Sequence, residues 1–240
     1  MSVGAGRCGK IIGTNCLINN KVRLIVDVAM TVLLPMLMAY SLIGERFHEV
    51  IGTLMFLLFI FHHVTNRRWY SAFFKGDVSF RRVIQTGLDF VLMFIMLLQP
   101  VSGMLMSKHL YTFIDIPGIA AIVREMHLVI ACWGFVLLCI HAGMHLVSPL
   151  KRMTGKDKRF HAVLFTAWIV VSGYGGYTFI ERAMPEYMFH RQIFAFIDVN
   201  ESKFVFFAEH AAVMMLFMLV GYGINLWITV LPNNREKHEL

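Results

Sequence analysis

Long apolar runs separated by short polar segments dominate the chain: Leu24 to Ile43, Glu49 to Val64, Val83 to Met106, Met126 to Val147, Val163 to Ile180, and Phe204 to Leu231. Most match the roughly 20 residues that cross a ~30 Å hydrocarbon layer. The apolar signal is continuous rather than alternating, so each run predicts a helix, the element that satisfies its own backbone polar groups in lipid. The second run is short, and its helix is expected to start earlier, with Phe47 and His48 already inside it. The two long connections, Ser107 to Glu125 and Glu181 to Lys203, each carry an apolar piece, Ile114 to Val123 and Tyr187 to Val199. Neither piece is long enough to cross; each is expected to lie on the membrane surface or over the bundle as a lid, or to be plain loop packing.

Composition agrees with this pattern. Of 240 residues, 58% are hydrophobic and 15% charged, with 21 Phe and 17 Met, which excludes an ordinary soluble enzyme. The net charge of +7 arises from 22 Lys and Arg gathered in clusters between the apolar runs. One set of connections holds Arg7, Lys10, Lys21 and Arg23, the cluster from Arg67 to Arg82, the cluster from Lys151 to Arg159, and Arg235 with Lys237. The other side keeps only Arg46, Lys108, Arg124, Arg182, Arg191 and Lys203. With an even number of spans, that bias predicts both termini in the cytoplasm. No aromatic residues interleave with the clusters as a stacking platform, so no nucleic-acid partner is expected, and Trp69 with Tyr70 reads as an interfacial belt.

Cys8, Cys16, Cys132 and Cys139 form no Cys-x-x-Cys pair and no covalent haem-attachment string. The polar, Gly-rich first 20 residues precede a long apolar run without a cleavage pattern, so an uncleaved first span is expected. No nucleophile elbow or phosphate-cradling Gly loop points to a hydrolase.

The first four spans read as two copies of one helical pair. Asp27, Ser41, His48 and His62 recur in order as Asp89, Ser102, His127 and His141. Both histidine pairs are 14 residues apart, and four residues beyond the second histidine stand Asn66 and His145. Copies with the same heading are related by an axis along the membrane normal. The last two spans lack the pattern and read as an addition.

Strongly polar side chains deep in a span are costly and face the bundle interior, so four histidines at matched spacing point to a site. A 14-residue step falls about 40° short of four turns and covers about 21 Å, which keeps each pair on one helix face at two depths. The second and fourth spans share a heading, so His48 faces the level of His127 and His62 that of His141. Two b-type haems, each with one axial imidazole from either helix, suit that arrangement. Gly52 and Gly134 would let a flat ring approach the backbone, or would serve plain helix packing. The competing reading is a transition-metal transporter, for which His141 and His145 have a ligand spacing and the methionines are weak support. His63 adjoins His62 and is a rival ligand. His145 is expected beyond the inner level as a propionate partner, a quinone-site residue or an interfacial side chain. Asp27 and Asp89 lie near Arg23 and Arg82, so ion pairs are expected there, with a proton or quinone role as the sharper alternative. Glu209 and His210 on the sixth span would line an external site.

The strings His48-Glu49-Val50-Ile51-Gly52, His62 with Asn66 and Trp69, Ser102-Gly103, His127, and Ile140-His141-Ala142-Gly143-Met144-His145 resemble the flavinylation-associated membrane cytochromes of bacteria. That family is similar in layout to other bis-histidine membrane cytochromes such as ferric reductases. The resemblance covers about residues 22 to 148, and Tyr174 to Phe179 looks like the C-terminal extension of some members. It implies haem b binding at His48, His62, His127 and His141, and electron transfer across the bacterial cytoplasmic membrane, often to a partner carrying covalent FMN on the outer side. His63 departs from the usual pattern. The expected organisation is a cytoplasmic tail over 1–21, a four-helix di-haem domain over 22–148 with repeats 22–70 and 83–148, and a two-helix extension over 149–240. The whole is an all-α, six-span membrane protein drawing electrons from quinol or a cytoplasmic-side donor. A haem-bearing membrane anchor subunit without turnover of its own is the third reading.

Overall fold

The computed structural model describes residues 8–67, 69–70, 79–114, 116–147, 150, 157–193 and 201–230, with side chains from 21 to 229. Among these residues every regular element is a helix. Helix α1 (Cys8–Met38) starts well ahead of the apolar run, passes through Pro35 and stops at the fully buried Ala39. One turn, α2 (Tyr40–Ile43), leads to Gly44, whose φ of 82° suits a residue without Cβ and redirects the chain into α3 (Glu45–Thr65). The expected first span is therefore a longer helix with a break near its end, and His48 sits in the first turn of α3.

Helix α4 (Phe80–Leu105) opens with the Ser79 hydroxyl accepting from the Arg82 amide. Helix α5 (Ala120–His145) begins earlier than its apolar run, so Ala120 to Val123 of the expected surface piece are its first turn. Helix α6 (Lys158–Glu181) is capped by Asp157, whose carboxylate accepts from the Arg159 and Phe160 amides. The short α7 (Met184–Met188) belongs to the second long connection and buries Met184 and Met188, so this part packs over the bundle; residues 194–199 of that apolar piece lie outside the described residues. Helix α8 is Lys203–Val230.

Five of these helices, α3, α4, α5, α6 and α8, are long and apolar enough to cross a membrane. Their outward faces carry large apolar side chains, among them Leu57, Phe94, Val170 and Trp227, as a lipid-facing surface does. Helix α5 is the hub: α4 packs on one side of it and α8 on another, α6 packs on α8, and α1 packs on α3. The central core joins Leu34, Met55, Phe59, Met96, Phe135 and Cys139 to Val213 and Met214 of α8.

Glycines set the closest approaches. A Cβ at Gly143 would lie 2.1 Å from the Met218 carbonyl oxygen, one at Gly175 2.1 Å from that of Ala212, and one at Gly221 2.0 Å from that of Ile140. Helices α5, α6 and α8 thus meet backbone to backbone, the small-residue packing that replaces hydrophobic burial in lipid.

Candidate functional site

The two helices that carry the repeated histidines face each other across the bundle. At one level the His48 and His127 rings are edge to face, with centroids 6.1 Å apart. Position 48 follows the sharp entry at Gly44, and Tyr40 packs against its ring at 5.3 Å. Opposite, a small network fixes His127. The Ser102 hydroxyl donates to the Gln99 carbonyl at 2.8 Å, so its oxygen accepts the Nδ1–H of His127 at 2.8 Å. That leaves a lone pair on Nε2, toward which the Gln99 amide nitrogen points at 3.0 Å. Gly103 keeps the space beside the ring clear: a Cβ there would touch His127 Cε1 at 3.5 Å.

At the second level each histidine is paired with an aspartate. His62 Nδ1 lies 2.8 Å from Asp27 Oδ1, and His141 Nδ1 lies 3.0 Å from Asp89 Oδ1. An ionised carboxylate only accepts, so the His62 ring carries its proton on Nδ1 and, when neutral, leaves Nε2 bare, while His141 faces its carboxylate through the same nitrogen. The repeated aspartates therefore serve the repeated histidines. This corrects the expected pairing of Asp27 with the neighbouring Arg23, whose guanidinium instead donates to the Thr65 carbonyl at 2.7 Å. Residues 27 and 62 are 35 apart, and only the packing of α1 on α3 joins them.

The remaining members of this end take other roles. His63 Nδ1 bonds the Tyr70 hydroxyl at 2.7 Å, and its ring lies edge-on to Phe59 at 4.4 Å. Asn66 closes α3: its backbone N–H and its side-chain amide both donate to the His62 carbonyl. The His145 ring sits 4.8 Å from that of His141, in the last turn of α5 and within electrostatic reach of Asp27 and Asp89.

Over the His48 end, Glu49 gathers the α4–α5 connection. Its carboxylate accepts from the Ser107 hydroxyl at 2.7 Å and from the Lys108, His109 and Leu110 amides, while Thr53 bonds Tyr111 at 3.0 Å. Lys108 adds an ion pair with Glu45. The start of that connection is thus pinned beside His48.

The same end of α6 and α8 carries a separate charged cluster. Arg182 pairs with both Glu201 and Glu209, and its guanidinium lies over the Phe206 ring. Burial works against that charge, but the hydrogen bonds and charges of the two glutamates outweigh it and hold the Arg182 pKa above its ordinary value. His210, buried, stacks on Phe206 at 3.9 Å and bonds the Phe206 carbonyl through Nδ1. Glu209 thus ties α8 to the end of α6, while His210 bonds within α8 and packs against Phe135, and neither contacts the repeated histidines.

No family model matches the chain, and neither does any curated protein or solved structure. The residues themselves must carry the chemical reading.

They fit bis-imidazole ligation in three respects. Two of the four repeated histidines, His62 and His127, hydrogen-bond an acceptor through Nδ1 and a third, His141, has Nδ1 3.0 Å from the Asp89 carboxylate, the kind of contact that orients a metal-bound imidazole with Nε2 free. Two polar atoms at the first level, His48 Nδ1 and Gln99 Oε1, are buried without a hydrogen-bond partner, a cost that calls for an explanation. The core that joins these helices is rich in side chains that can repack, with Met55 and Met96 buried and Met30 and Met93 packed against them. The glycines fit less closely. A Cβ added at Gly134 would lie 3.1 Å from the Ile95 side chain and one at Gly52 3.8 Å from Leu37, so both serve helix packing as they stand.

Sequence reasoning did not single out Gln99, Glu49 as a loop anchor, or the aspartates as histidine partners. The recurrence of Asp at matching places in the two repeats was the available signal for the last of these.

Proposed function

We propose that this chain is a six-span membrane electron-transfer protein in which His48 with His127, and His62 with His141, hold two b-type haems at two depths. The observation that carries the reading is the repeat of histidines with acceptor-bound Nδ1 on facing helices about 21 Å apart along the axis. In this reading helix α1 supplies the sixth span, and the Lys and Arg bias supports a cytoplasmic side for both termini and for the His62 end, in a bacterial inner membrane. His62 is preferred to His63 because it shares its partner type with His141.

The haem supplies reversible one-electron chemistry; the chain sets ligand orientation, spacing and dielectric. Ser102 holds His127 through Nδ1 and leaves Nε2 beside the Gln99 amide, whose hydrogen bond would be given up if a ligand took that nitrogen. Asp27 and Asp89 hold the other two rings by the same Nδ1 contact. Glu49 and the connection it anchors shield the outer level from water. His145, exposed at the lower end, is placed to meet a propionate or a quinone headgroup. Asn66 acts on the lower level only through the end of α3.

Electrons enter from quinol or a cytoplasmic-side donor and leave to an external flavoprotein carrying FMN. In the alternative role of anchor subunit the same ligands hold the haems without quinol turnover. A transition-metal path is less well supported, since among the described residues no three His, Cys, Asp or Glu side chains are grouped to hold an ion. The test is a dithionite-reduced minus air-oxidised spectrum of detergent-purified protein with haem quantified per chain. A b-type spectrum with two haems is expected; a colourless protein after haem supplementation, with cation flux in liposomes, would replace this reading with transport.

A further inference from the structure

The two histidine levels differ in one electrostatic respect. At the lower level both Nδ1 atoms face carboxylates, Asp27 at 2.8 Å and Asp89 at 3.0 Å. At the upper level the one engaged Nδ1, that of His127, faces a neutral hydroxyl, and the Nδ1 of His48 is buried without a partner. A carboxylate that accepts from a ligating imidazole raises the basicity of the ring and places a negative charge beside the metal, and both effects favour the ferric state.

Resting on the haem reading of the four histidines, we propose that Asp27 and Asp89 are positioning residues that give the lower haem the lower reduction potential of the two. With that ordering, an electron delivered to a bound lower haem from the cytoplasmic side would pass downhill, the lower haem being oxidised as the upper one is reduced.

Charges that oppose this ordering are more distant or already engaged. Glu49 adjoins His48, but its oxygens are bonded to the Ser107 hydroxyl and three backbone amides of the connection. Arg23 lies at the lower end, but its guanidinium is directed to the Thr65 carbonyl. Asp27 bonds the His62 ring directly and Asp89 lies 3.0 Å from the His141 ring, so both act at contact distance, where Coulomb energy is greatest.

Potentiometric titration of the haem-loaded full chain, resolved into two components, tests the proposal. Asp27→Asn and Asp89→Asn keep an acceptor of similar size and remove the charge. Each is expected to raise the lower-potential component by about tenfold in equilibrium constant, ~59 mV for one electron, and to leave the upper component in place. Both haems and their low-spin ferric spectra are retained, and Asp27→Glu restores the wild-type value in part. Asp27→Leu is expected to shift further. Ser102→Ala moves the other component instead. Two haems with unchanged potentials in both Asn variants, or a shift confined to the upper component, would overturn the role of the aspartates while leaving the ligand assignment standing. A wild type without haem would overturn the ligand assignment itself, and this proposal with it.

Discussion

The α5–α6–α8 trio and the histidine-bearing bundle of α1, α3, α4 and α5 are built by opposite means. In the trio, Gly143, Gly175 and Gly221 bring backbones together until a single added carbon would fall 2.0 to 2.1 Å from a carbonyl oxygen. In the bundle, a carbon added at Gly52, Gly103 or Gly134 would meet only side chains, at 3.1 to 3.8 Å. The trio's spacing is fixed by the main chain, whereas the bundle's spacing is left to Met, Leu, Phe and imidazole groups that can move. One region is a frame and the other an adaptable site, and α5 belongs to both.

The largest expected effect comes from attacking the frame. Gly143→Leu must part α5 from α8, so detergent-solubilised protein should fail to give a monodisperse peak; even Gly143→Ala should cost ~1–3 kcal/mol or more, read as a drop in the thermal unfolding midpoint. An unchanged midpoint would show that the helices are not in backbone contact. Next in size is Arg182→Ala. It strands Glu201 and Glu209 at one end of the frame, and with 20% of the arginine side chain exposed the loss should be on the order of 2 kcal/mol, below the ~3–5 of a fully buried pair. Arg182→Lys should recover part of it.

Effects shrink on moving to the bundle. Ser102→Ala removes the acceptor of the His127 Nδ1–H and should lower stability by about 1 kcal/mol in the haem-free protein, measured by thermal unfolding. Smallest is Gly52→Ala. Its Cβ makes only an ordinary contact with Leu37, and the gain in helix propensity of up to ~1 kcal/mol should leave stability unchanged or raised. Were Gly52→Ala as damaging as Gly143→Ala, the distinction between frame and adaptable site would collapse.

How far the sequence was legible follows the range of the interactions. The long apolar runs locate α4, α6 and α8 to within a few residues, because hydropathy is a local property. The facing of His48 and His127 was also legible, since the matched 14-residue steps put both on helix faces at one depth. Helix α1 was not: its polar first half carries no hydropathic signal, and Ala39 gives no warning of the break before Gly44. The partners of Asp27 and Asp89 were misassigned for a related reason. Arg23 and Arg82 are near in sequence, but the carboxylates turn to His62 and His141 on other helices. Asn66 looked like part of the site because it stands where the repeat puts His145, yet its side chain is spent on the end of α3. The glycine contacts were legible as small residues only; which backbone each one meets depends on how α8 lies against its neighbours.

The ligand pairing is tested most directly by haem per chain in double variants. His48→Ala and His127→Ala should each lose one haem, and the double variant no more than one, because both residues serve the same site. His48→Ala combined with His141→Ala should lose both. Independent losses from His48 and His127, or full haem content in either single variant, would contradict the two-level arrangement.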